Sequence, residues 1–124
     1  MASEKVLHLD DSNFEEQTKS GYALVDFWAT WCGPCMREMP IVLATYAKYN
    51  ARGFEILGVS LDRTQKPLDQ VVATRKMEWD QFFDGQGWKN ELAQLFGIRR
   101  IPFAMLVDRK GTVRYINLTG PSLD

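Results

Sequence analysis

Cys32 and Cys35 are the only cysteines in the 124 residues, and they stand in the run Trp31-Cys32-Gly33-Pro34-Cys35. As a structural staple this pair is poor, because closing so short a loop contributes only about 2 kcal/mol before strain is subtracted. A secreted scaffold built on disulfides carries more cysteines, spread along the chain. The value of the pair therefore lies in chemistry. Thiolates, not thiols, attack disulfides. If a helix opens at this run, its free N–H groups and the positive end of its dipole stabilise an anionic sulfur on Cys32. Cys35, one turn further in, can then resolve the mixed disulfide that Cys32 forms. Structural zinc needs four ligands, and with His8 as the single histidine and no second Cys-x-x-Cys no metal is expected. A pair of buried, inert thiols is the remaining alternative.

The surrounding pattern supplies such a helix start. Tyr22 to Ala29 is an almost continuous apolar run, Ala23-Leu24-Val25-Asp26-Phe27-Trp28, suited to a strand buried on both faces. Gly33-Pro34 turns the chain, and Pro34 fits the first turn of a helix at little cost. Met39, Val42, Leu43 and Tyr46 mark one face of that helix through Tyr49, with a kink expected at Pro40. Phe54 to Leu61 reads as a second internal strand. Pro67 to about Met77 and Lys89 to Phe96 read as helices, with Gln81 to Gly85 as a short extended piece between them. Phe103 to Val107, the turn Asp108-Arg109-Lys110-Gly111, and Thr112 to Ile116 form a closing hairpin. Upstream, Lys5 to Leu9 reads as an edge strand that carries His8. Ser12 with Glu15 reads as a capping box, with Phe14 as the first apolar anchor.

Strand–helix–strand units imply parallel pairing with right-handed crossovers. The expectation is one α/β domain over residues 1–124, a mixed sheet covered by helices on both faces. It places the cysteines at the C-terminal end of a central strand, where sites in open α/β sheets collect. Composition is that of an ordinary globular protein, 45% hydrophobic and 25% charged, with a formal net charge of −1. Such balance leaves no electrostatic footprint for nucleic acid or anionic lipid. No apolar run approaches the roughly 20 residues of a membrane span, and Glu4, Lys5, Asp10, Asp11, Glu15 and Glu16 interrupt any leader-like stretch. The chain as it stands reads as cytoplasmic, or as extracytoplasmic if a leader preceded Met1.

The run Val25-Asp26-Phe27-Trp28-Ala29-Thr30-Trp31-Cys32-Gly33-Pro34-Cys35 resembles the thioredoxin superfamily, as do Ile98-Arg99-Arg100-Ile101-Pro102 and Pro40. Glu38-Met39-Pro40, Gly58-Val59-Ser60-Leu61-Asp62 and Phe83-Asp84-Gly85-Gln86-Gly87-Trp88 are similar to the bacterial extracytoplasmic, cytochrome c maturation type, with its longer segment before the cis-proline. This resemblance implies thiol–disulfide exchange without a cofactor, with protein thiols and disulfides and an upstream reductase as partners. It implies Cys32 as nucleophile, Cys35 as resolving thiol and Asp26 as the buried carboxyl that exchanges a proton with Cys35. Burial favours the neutral form of such a carboxyl and raises its pKa. Thioredoxin's own attacking thiol lies near pKa 7, against about 8.5 for a free cysteine.

Trp31, Gly33, Pro34, Ile101 and Pro102 would form the substrate-docking rim, with a cis peptide before Pro102 and a short strand addition by the substrate. Gly-Pro between the cysteines and Ile before Pro102 imply the reducing direction. Gly58 falls where thioredoxins place a lysine near the aspartate, which leaves the tuning of Asp26 open. Glu38 is read as a solvated helix charge, Trp28 as core, and Trp79 and Trp88 as packing anchors, with a role in specificity as the alternative. Gly120-Pro121-Ser122-Leu123-Asp124 looks like the start of the family's last helix rather than a finished one, so either the chain is truncated or another surface covers that sheet face, and a face left bare would invite self-association. A thioredoxin-fold binding module, or a scaffold with residual redox activity, is the competing function. A peroxidase fits poorly, since Thr30 precedes a Cys-x-x-Cys rather than a lone cysteine.

Overall fold

A computed structural model describes residues 21–116. The edge strand at Lys5–Leu9, the capping box at Ser12 and the segment from Gly120 lie outside the described residues. β1 (Ala23–Trp28) is the central strand, and its solid apolar run matches burial from both sides. It is followed by α1 (Gly33–Tyr49), β2 (Glu55–Ser60), α2 (Gln65–Arg75), β3 (Asp80–Phe83), α3 (Glu91–Leu95), β4 (Phe103–Val107) and β5 (Val113–Ile116). The sheet order is β3-β2-β1-β4-β5. β1 pairs in parallel with β2, and β2 with β3, while β4 runs antiparallel to both β1 and β5. The sheet is mixed, as expected. The piece expected at Gln81–Gly85 is a full edge strand starting at Asp80, so the long segment extends the sheet.

Neighbouring residues of a strand point to opposite faces, and this sorts the helices. The Phe27 ring lies 6.3 Å from that of Phe96, just past α3. Asp26, on the other face, lies within electrostatic reach of Glu38 on α1. Helices therefore flank both faces of the sheet. α1 runs as one helix through Pro40, which stands exposed on its outer side. Its most buried line is Cys35, Met39, Val42 and Tyr49, with Leu43 and Tyr46 half-buried beside it.

A polar core anchors the insertion between β2 and β4. Asn90 is 0% exposed, and its side-chain oxygen accepts from Leu92 N (2.9 Å) and Ala93 N (3.1 Å), capping α3. Its amide donates to the Ser60 carbonyl (3.4 Å) and to Asp84 Oδ1 (3.2 Å). One side chain thus holds the start of α3 and ties it to the end of β2. Removing it leaves both a lost cap and unpaired buried groups. Asn90→Ala is expected to cost about 2–3 kcal/mol in urea unfolding. A change below 0.5 kcal/mol would contradict this account.

Candidate active site

Cys32 is the N-cap residue of α1, with an extended backbone at φ −92° and ψ 105°, and its Sγ accepts a hydrogen bond from Cys35 N at 3.2 Å. A sulfur occupies the place that a serine or aspartate oxygen usually takes at a helix start. Cys35 lies in the first turn, 5.2 Å away between Cα atoms and joined to Cys32 in a disulfide. Cys35 is 2% exposed and Cys32 6%, and of the two Cys32 lines the surface cleft described below. Pro34 falls at the start of the helix, where its missing N–H costs nothing.

The chain before the cysteines is held from β2. Thr30 donates its backbone N–H to both Asp62 carboxylate oxygens (3.1 and 3.2 Å) and its hydroxyl to Oδ1. The Ser60 hydroxyl donates to Asp62 Oδ2 (2.6 Å) and accepts from Asp62 N (3.1 Å). Asp62 is 2% exposed. The same Ser60 carries the Asn90 contact, so one hydrogen-bonded chain runs from the loop before Cys32 to the start of α3. The sequence reading did not single out this set. Its signal was present in Ser60-Leu61-Asp62 directly after an apolar strand, but the partners are set by folding.

Asp26 is 3% exposed, and its carboxyl is pushed up to about 7 by burial, with the nearby charge of Glu38 adding to the rise. Glu38, read above as a solvated helix charge, is half-buried, and its charge reaches Asp26. Cys35 and Glu38, three residues apart on a helix, share one face. Asp26 stands in register with Gly58 on β2 and Ala104 on β4, and Gly58 in turn with Gln81 on β3. No lysine fills the position at Gly58. A Cβ there would collide with the Gln81 side-chain amide, which lies over the glycine. Gln81 Oε1 accepts from Trp28 Nε1 at 3.0 Å, and because an indole N–H can only donate, this fixes which end of the amide faces Trp28. Gln81 takes up space beside Asp26 without bringing a positive charge.

Around Cys32 lies a shallow cleft formed by Trp31, Gly33, Pro34 and Ile101, together with Trp88, Arg99 and Arg100. The Ile101–Pro102 peptide is cis, and Pro102 is half-buried beside the cleft. Trp31 is 54% exposed and Trp88 40%, with their ring centres 6.2 Å apart. Trp88 thus packs against Trp31 and forms part of the cleft wall, which suits the alternative reading given for it above. Trp79 does pack, buried against Tyr46 at 5.0 Å. Trp28 is core. No cluster of metal ligands occurs among the described residues, and no helix among them is long and apolar enough to cross a membrane.

A five-stranded mixed sheet with a dithiol opening a helix at the end of its central strand defines a thioredoxin-like protein. The thioredoxin-like family model matches residues 21–113, and the chain belongs to this family. Among curated relatives it is 36% identical over 102 residues to the thiol-disulfide oxidoreductase ResA of Oceanobacillus iheyensis, covering 82% of this chain and 51% of that protein. ResA of Bacillus anthracis is 32% identical over 89 residues, covering 72% and 50%. The chain spans about half the length of these relatives. The thioredoxin domain of a thiol-disulfide oxidoreductase from Bacteroides vulgatus superposes with a TM-score of 0.75 at 31% identity, covering 87% of this chain and 77% of that one. A thiol-disulfide oxidoreductase from Bacteroides fragilis gives 0.76 at 27%, covering 87% and 80%.

The raised Asp26 pKa has a consequence for stability. An aspartate ionises near 3.9 in the unfolded chain and near 7 in the fold. Between these values the folded state holds the extra proton, so stability falls as pH rises from about 4 to 7 and the loss is complete above that. Asp26→Asn carries no such charge. The variant is expected to gain on the parent by up to about 4 kcal/mol between pH 4 and pH 8 in denaturant melts. Parallel pH profiles for the two proteins would refute it.

Proposed function

We propose that this chain is a thiol–disulfide oxidoreductase that reduces protein disulfides through Cys32 and Cys35. The observation that carries the proposal is the Cys32 sulfur sitting as the N-cap of α1, accepting the Cys35 N–H. An anion at that atom meets free amide groups and the positive end of a 17-residue helix, whereas a neutral thiol gains little from either.

In the reduced chain the Cys32 thiolate attacks a substrate disulfide. A Cys32–substrate S–S bond forms, and the first substrate sulfur leaves as a thiolate that takes a proton from water. Cys35 then gives its proton to the Asp26 carboxylate and attacks Cys32 Sγ. This closes the intramolecular disulfide and expels the second substrate thiolate. Two electrons pass from the dithiol to the substrate. With its affinity for protons balanced near neutrality, Asp26 suits the transfer in both directions. Glu38 keeps a negative charge near that carboxyl and so favours its protonated form. An upstream reductase, as the family resemblance implies, returns the two electrons. Trp31, Gly33, Pro34, Ile101 and Pro102 form the docking rim, where an extended substrate segment pairs with the backbone at Ile101.

Cys32→Ser is expected to abolish the reduction of insulin disulfides by the pre-reduced chain. Cys35→Ser retains the first attack but not the second, so a covalent adduct with a disulfide substrate accumulates and is read by intact mass. Unchanged turnover in Cys32→Ser would end the proposal.

A further inference from the structure

Beyond the dithiol, the cleft carries a charge pattern that the exchange reaction does not require. Arg99 and Arg100 line it directly ahead of Ile101, and both are exposed. Arg37 reaches back towards Gly33, itself a lining residue, its Nη1 lying 3.3 Å from the point where a Cβ on Gly33 would stand. Among the described residues, no acidic residue lines the cleft. The whole chain has a net charge of −1, so the two arginines of the lining give the cleft a positive character that the composition does not share.

We propose that this cleft selects disulfides whose cysteine is flanked by acidic residues, with their carboxylates held by Arg99 and Arg100; the inference rests on the redox reading above. An extended substrate that pairs with the backbone at Ile101 runs past the two arginines. Guanidinium forks match carboxylates in a bidentate way that an ammonium cannot. Trp31 and Trp88 provide the apolar surface on which the body of the segment rests. The selected partner is therefore a protein segment with an acidic stretch around its cysteine. A substrate bearing basic residues there meets like charge at the two arginines.

The test uses the reduced 124-residue chain and three disulfide-linked peptides, identical except for glutamate, glutamine or lysine on either side of the cysteine. At about 0.02 M salt the glutamate peptide is expected to exceed the glutamine peptide about tenfold in kcat/KM, chiefly through KM, with lysine slowest. At about 0.3 M salt screening shrinks the advantage to about threefold or less. In an Arg99→Gln, Arg100→Gln double variant the ratio of glutamate to glutamine rates falls towards one. Equal rates for the glutamate and glutamine peptides at low salt, or a ratio that survives the double variant, would overturn the inference while leaving the redox reading intact. Failure to reduce any of the three peptides would overturn the redox reading and this inference together.

Discussion

The hydrogen bond from Cys35 N to Cys32 Sγ is the contact on which the rest of this structure turns. It joins a backbone rule to a chemical one. A helix start must find acceptors for N–H groups that have no partner inside the helix, and an attacking sulfur must be held as an anion. Placing a cysteine at the N-cap meets both needs with one atom. Everything around it serves to keep that atom at the mouth of the sheet and its partner, Cys35, a turn behind.

Two buried aspartates show how surroundings separate similar groups. Asp62 is met by hydroxyl and amide donors from Thr30 and Ser60, and it fixes the loop that leads into Cys32. Asp26 has Gly58 and Ala104 as register neighbours, neither with a polar side chain, and the Glu38 charge nearby. One carboxylate serves as a structural anchor, while the other is left poised to hold or release a proton near neutral pH. Gln81 fits the same logic. Its amide fills the space above Gly58 and bonds Trp28, so a neutral group stands where a cation would have drawn the Asp26 carboxyl towards ionisation.

The insertion between β2 and β4 is part of the working end rather than an appendage. It adds β3 to the sheet edge and anchors α3 through Asn90 to the strand that also carries the Asp62 network. It then delivers Trp88 against Trp31 across the cleft. The loop before Cys32 and the insertion are thus bound through shared partners at Ser60, which ties the shape of the cleft to the position of the dithiol.

The sequence by itself determined the element order from β1 onward, the central strand, the helix opening at Gly33 and the pair of cysteines proposed to react. Each of these is local: a period of apolar residues, a proline tolerated at a helix start, two thiols at one-turn spacing. It was also enough to mark Asp26 as a charge inside an apolar strand. Only the tertiary structure decided what each group faces. Gln81 meets Trp28 across 53 residues and Asn90 meets Ser60 across 30, through a strand register that no local pattern encodes. What Glu38 and Trp88 face is hidden from the sequence for the same reason. Periodicity and composition tell whether a side chain suits burial, whereas its partner depends on which distant element the chain packs against it.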